Sequence, residues 1–239
     1  MHKPSEELIE LRLLFPYKNP INYLGNQGLV PLLSFLETAP FPKPHEVEFS
    51  GKVRNRMRRK RINHYLDNDL LAILEPNGYQ GTYIMIKSKG FSVFFDQMGI
   101  SNQLVFTIDM QLLSFVTVEG LKKLFLDLLG RFPQTHIAYC SFAAYHSDFN
   151  KKHMYESGKM RNNYLRFLVW LQYLSAEELV IQGRISAFEL NSLLKTERFN
   201  NGLLVEVGES PYDIFTDGGE ALLAQATFSL PPVQYPSKV

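Results

Sequence analysis

This 239-residue chain has one cysteine, Cys140, and one tryptophan, Trp170. A single thiol excludes an intramolecular disulfide framework and any zinc site built on several thiolates, and it fits a reducing compartment. No apolar run approaches the roughly 18 residues that a membrane span needs. The opening "MHKPSEELIELRLLF" breaks its apolar residues with acids and Arg12, so it does not read as a secretory leader, and the expected location is cytoplasmic. Net charge is almost absent as well. Lys and Arg number 25 against 24 Asp and Glu, a formal balance of +1, so any attraction to phosphate must be local. The Gly-Lys-Ser/Thr ending of a phosphate-binding loop is missing.

What is present is an ordinary globular composition, 45% hydrophobic and 21% charged, on a chain long enough to bury its own core. The charge is segregated. Seven of the ten residues in "KVRNRMRRKR", positions 52–61, are cationic, and the remainder of the chain holds 18 basic against 24 acidic residues, a balance of about −6. Val47, Phe49, Val53 and Met57 fall at odd positions, with Glu46, Glu48, Ser50, Lys52, Arg54, Arg56 and Arg58 at even ones. That alternation predicts one strand from Glu46 to Arg58, bent or bulged at Gly51, with Lys52, Arg54, Arg56 and Arg58 along its wet face. Such a ladder shields a sheet edge or meets an acidic part of a protein partner. Nucleic acid ranks below both.

Elsewhere the periodicity changes from element to element. "ELIELRLLF" alternates as a half-buried strand, "GLVPLLSFLE" reads as a short helix, and "GTYIMIKSKGFSVFFDQ" gives two strands around a turn at Lys87 to Gly90, followed by "LVFTIDM". Thr117 is placed to cap a helix to about Arg131, with Val118, Leu121, Leu124, Phe125, Leu128, Leu129 and Phe132 on one face. "THIAYCSF" is a further strand, whereas "FLVWLQYL" suits a buried strand or a helix end equally well. Ser175 with Glu178, Ser186 with Glu189, and Asp217 with Glu220 each have capping-box spacing. Strands and helices mix without steady βαβ alternation. The expected fold is therefore α+β, a mostly antiparallel β-sheet packed by several helices, in a single domain over 1–239 with a possible N-terminal lobe 1–44.

Catalytic and metal patterns are weak. His64, Asp67 and Asp69 lie close together, as do His146 and Asp148, but a metal site needs three or four convergent ligands and loops rich in His and Asp commonly hold none, so no metal or other cofactor is expected. Cys140, beside Tyr139 in an apolar strand, reads as an inert core thiol. Two features suggest binding instead. The stretch 149–167 interleaves Lys151, Lys152, Lys159, Arg161 and Arg166 with Phe149, Tyr155, Tyr164 and Phe167, as a single-strand binder or the wet basic face of a helix would. With residues 52–61 it supports an alternative reading as a nucleic-acid-binding module. From Phe199 to Ser237 there is no Lys or Arg, while Glu206, Glu209, Asp213, Asp217 and Glu220 add five negative charges. That block repels nucleic acid and attracts a basic protein.

The C-terminal third, most clearly over about residues 165–232, resembles the immunity protein 52 family, found beside polymorphic toxins in bacteria. Within "FLVWLQYLSAEEL", Trp170, Tyr173 and Leu174 match the family's aromatic segment, although Val169 stands where the family has Gly. Gly202, Val207, Pro211 and Asp213 of "GLLVEVGESPYDI" match a second piece, and Leu230 and Pro231 of "EALLAQATFSLPP" a third. The resemblance implies an antitoxin without catalysis of its own. It would bind and neutralise a cognate secreted toxin, a nuclease effector of restriction-endonuclease-like fold delivered by a type VI secretion system. Because such nucleases carry basic DNA-facing surfaces, the expected toxin contacts are Glu206, Glu209, Asp213, Asp217 and Glu220, with Tyr212 and Phe215 as aromatic anchors. Lys52, Arg54, Arg56 and Arg58 form a second candidate surface.

Overall fold

A computed structural model describes residues 8–15, 28–53, 56–62, 80–96, 102–113, 116–142 and 168–231. In chain order the elements are β1 (Leu8–Phe15), α1 (Leu29–Thr38), β2 (Glu46–Val53), β3 (Arg56–Ile62), β4 (Gln80–Ser88), β5 (Phe91–Asp96), β6 (Asn102–Asp109) and α2 (Val118–Arg131). Then come β7 (Ile137–Phe142), β8 (Leu171–Ser175), α3 (Ala176–Gln182), α4 (Ile185–Glu189), β9 (Lys195–Phe199), β10 (Gly202–Glu206), a 3-10 helix (Pro211–Phe215) and α5 (Asp217–Ser229). Antiparallel strand pairs interspersed with helices place the chain in the α+β class. It divides into two compact units, Arg12–Thr135 and Met1–Leu11 with His136–Val239, so the divisions fall away from the prolines at 40–44. Among the described residues no helix is long and apolar enough to cross a membrane.

In the unit Arg12–Thr135 the strands run in the order β3-β2-β4-β5-β6, each pair antiparallel. Every second residue is buried, as the alternation in sequence predicts: Ile84 and Ile86 on β4, Phe91, Val93 and Phe95 on β5, Leu104, Phe106 and Ile108 on β6. The β4–β5 turn needs Gly90, whose φ of 82° is left-handed and whose added Cβ would lie 2.9 Å from the Leu113 side chain. Thr117 caps α2, its Oγ1 accepting from Gly120 N at 3.0 Å. The helix buries Leu121, Leu124, Phe125, Leu128 and Leu129, each worth about 1.5–3 kcal/mol of gross apolar burial. Arg131 ties α2 to α1. Its guanidinium donates to Asp127 Oδ1 at 3.2 Å, Ser34 Oγ at 2.9 Å and Thr38 Oγ1 at 3.1 Å, and lies 5.8 Å from the Phe35 ring centroid.

The basic run is not one strand. Val53 pairs with Arg56, so the chain reverses and β2 and β3 form an antiparallel hairpin. Gly51 does mark an irregularity, since the β2–β4 register shifts between Ser50 and Gly51. Lys52 is opposite Met57, whereas Arg56 and Arg58 are opposite Val53 and Gly51. Strand alternation could not reveal the reversal because cations fall at both odd and even positions of β3.

In the other unit the order is β7-β8-β10-β9, again antiparallel. β7 is buried throughout and β8 through Leu174, which makes "FLVWLQYL" end in a two-sided core strand rather than a helix. β9 was not anticipated. Its sequence, KTERF, is polar apart from Phe199, whose ring meets Tyr173, and it is the terminal strand, guarded by the ion pairs Arg198–Glu189 and Lys195–Glu209. Of the three capping-box spacings, Ser175–Glu178 is half realised: Ser175 Oγ accepts from Glu178 N at 3.2 Å. The Glu178 carboxylate, fully buried, instead meets His136 Nε2, while His136 Nδ1 is 3.3 Å from Ser175 Oγ. Ser186 lies inside α4, whose N-cap is Arg184, and α5 is capped by Thr216, with Gly219 N donating to Thr216 Oγ1 at 3.0 Å. Asp217 is therefore a first-turn residue, not the cap.

Candidate partner-binding site

The strongest constellation lies where β10 leads into the 3-10 helix and α5. Gly208 turns the chain with a left-handed φ of 76°. A Cβ there would lie 2.5 Å from Asp213 Oδ2, which shows how closely that carboxylate approaches the backbone. Asp213 Oδ2 accepts from Glu209 N at 2.7 Å and Ser210 N at 3.1 Å, and Ser210 Oγ accepts from Tyr212 N at 3.1 Å. This is a complete capping box, with Pro211 in the first turn where its missing N–H costs nothing. Gly219 lets the 3-10 helix abut α5, since a Cβ would be 2.0 Å from Asp213 O. Asp213, expected among the contacts, spends its carboxylate on the turn.

That turn presents two rings. Tyr212 is 40% and Phe215 46% exposed, yet both pack edge-on against Phe142 of β7, with centroids 5.1 and 4.8 Å away. Phe142 itself is 1% exposed. The two rings are thus held from below while their outer surfaces stay in water, an arrangement with little side-chain entropy left to lose on binding. Burial of part of Tyr212 raises its hydroxyl pKa above the usual value, which keeps it a hydrogen-bond donor well into alkaline solution.

The acids divide into two groups. Glu206, at the end of β10, is opposite Lys195 of β9, and Glu209 Oε1 accepts from Lys195 Nζ at 2.7 Å. The Lys195 pKa is raised, chiefly by that hydrogen bond, against a desolvation that lowers it, with the charges of Glu209 and Glu206 adding. The block free of Lys and Arg in sequence therefore receives one cation from the neighbouring strand. Asp217 and Glu220 are exposed in the first turn of α5, where the helix dipole favours negative charge. Reading along the chain could not find Lys195 or Phe142, because both join the site through strand pairing and packing.

The basic candidates are placed differently. Lys52 is on β2 and Arg56 and Arg58 are on β3, the last strand of its unit's order; Arg54 lies outside the described residues. The stretch 149–167, the His64, Asp67 and Asp69 group, and His146 with Asp148 also lie outside them. Cys140 is fully buried and its thiol pKa is pushed far up by desolvation.

The residues that carry the resemblance are mostly packing residues. Trp170, Tyr173, Leu174, Val207 and Leu230 are buried, and Val207 N donates to Trp170 O at 2.8 Å. Gly202 is needed for that packing, since a Cβ would be 2.3 Å from Leu174 O and 2.6 Å from the Tyr173 ring. Pro211 and Asp213 build the turn that follows. No protein-family model matches the chain, and no curated protein matches it.

Proposed function

We propose that this chain is an immunity protein that neutralises a toxin by stoichiometric binding. The observation that carries the reading is the pair Tyr212 and Phe215, half-exposed, fixed on buried Phe142 and followed in the chain by the exposed acids Asp217 and Glu220. Pre-fixed aromatic side chains are the usual anchors of a protein interface, and a rim of one charge sign selects and steers an oppositely charged partner. The acids point to a basic partner. The resemblance over about 165–232 supplies the class: a nuclease effector, of restriction-endonuclease-like fold and delivered by a type VI secretion system, whose phosphate-binding surface is basic.

In this reading the anchors hold the toxin and the acids attract it, so inhibition needs no chemistry from this chain. Expressing the product of the adjacent gene in a sensitive bacterium, with and without this chain, tests the reading. Growth rescue together with a one-to-one complex is the expected result. Toxicity that this chain neither relieves nor binds sinks the proposal.

A further inference from the structure

At the far end of α5 a shallow groove of about 400 Å³ is lined by Ala187, Leu190, Leu193, Gln225 and Ser229, among others. Asn191 Nδ2 donates to Ser229 Oγ at 2.7 Å, which holds the segment after α4 on the last turn of α5. The neighbours of that bonded pair are two large apolar side chains left in water, Leu190 at 84% and Phe228 at 72% exposure. Along α5 the residues Asp217, Ala221, Gln225 and Phe228 are all exposed, and their spacing of four, four and three puts them on one face. This face is acidic at one end, where Glu220 adds to Asp217, small or neutral in the middle, and apolar at the other end. Asp217 and Phe228 are eleven positions apart, about 16.5 Å at 1.5 Å per residue. α5 has no basic residue in its last turn, so its carbonyl end adds to the negative potential.

We propose that this face of α5 seats one amphipathic helix of a protein partner. That helix places Lys or Arg over Asp217 and Glu220 and, about three turns away, large apolar side chains against Phe228 and in the groove that Leu190 lines. The inference rests on the toxin-binding reading of the acidic end and extends the surface beyond it. Charge points to the occupant: Asp217 and Glu220 repel an anionic membrane surface and match the basic end of a partner helix. Ala221 at the centre permits the close approach of another helix backbone.

The test uses the full chain and two labelled synthetic peptides of about 18 residues on an Ala and Gln background. One carries two lysines in its first turn and two leucines about three turns later; the other has glutamates in place of the lysines. Titrated by fluorescence anisotropy, the wild type should bind the lysine peptide at least about tenfold more tightly than the glutamate peptide. Leu190→Glu and Phe228→Glu should each weaken the lysine peptide by about tenfold or more, and Asp217→Lys with Glu220→Lys should remove the preference. Leu112→Glu, an exposed site in the other unit, should change nothing. Absence of peptide binding, full binding by Leu190→Glu and Phe228→Glu, or a homodimer that either variant dissolves would overturn the proposal. The two readings separate cleanly. Loss of toxin rescue with the peptide profile intact strikes the immunity reading, while toxin bound at full strength by Leu190→Glu and Phe228→Glu strikes the groove alone.

Discussion

Asp213→Ala separates an acid that builds the site from acids that serve it. The substitution removes the acceptor of two backbone N–H groups, Glu209 N at 2.7 Å and Ser210 N at 3.1 Å, and dissolves the capping box of the 3-10 helix. Loss of a cap costs about 1 kcal/mol. A hydrogen bond to a charged acceptor contributes about 1.5–3 kcal/mol net where it is sheltered, but here one amide is exposed and water replaces part of it, so about 1.5–2.5 kcal/mol is expected in all. Asp213→Asn keeps an acceptor oxygen and should cost about half as much. Equilibrium denaturation gives the global value, and amide hydrogen exchange at Glu209 and Ser210 gives the local one, with protection falling about tenfold or more. If Asp213→Ala stays within about 0.5 kcal/mol of wild type and those amides remain protected, Asp213 does not organise the turn.

Charge reversal of Asp217 and Glu220 should alter stability by less than about 1 kcal/mol each, because both are exposed, yet slow toxin association and flatten its dependence on salt. Stopped-flow association at two ionic strengths reads this, and an unchanged rate removes these acids from the interface. Arg131→Lys loses the planar fork shared by Asp127, Ser34 and Thr38 and should destabilise the unit Arg12–Thr135 by about 1–2 kcal/mol in a denaturant titration; a change near zero contradicts the tie between α1 and α2. Cys140 should resist a thiol reagent at pH 8 until the protein unfolds. Its folded pKa is raised, so above the ordinary value of 9.0 the unfolded thiol loses its proton first and stability falls as pH rises, by at most about 1.4 kcal/mol per unit. Tyr173 and Tyr212 add slopes of the same sign, and Cys140→Ala should flatten the alkaline limb. Stability that rises with pH in that range refutes the burial.

Periodic segments were legible in the sequence because one face of each is buried. Ile9, Leu11, Leu13 and Phe15 are buried at every second position, and the apolar stripe of α2 faces the core as its spacing predicts. Where both faces have the same character, periodicity carries no signal. β9 gives no periodic signal because four of its five residues are polar, and the β2–β3 reversal is hidden because cations fall at both odd and even positions of β3. At the site, Asp217, Glu220, Tyr212 and Phe215 were visible as an exposed acidic and aromatic block. The division of labour was not: Asp213 turns inward, Lys195 arrives from a paired strand, and Phe142 comes from a strand about 70 residues earlier. Capping spacings misled for a related reason, since Thr216 competes with Asp217 for the same cap and wins.

The most direct test of the toxin-binding reading is the dissociation constant of the one-to-one complex for Tyr212→Ala with Phe215→Ala, measured by calorimetry beside the wild type. Two anchors pre-fixed on Phe142 predict a weakening of about a hundredfold or more, with an unchanged circular dichroism spectrum. A complex within about threefold of the wild-type affinity would contradict the assignment of this surface to the toxin.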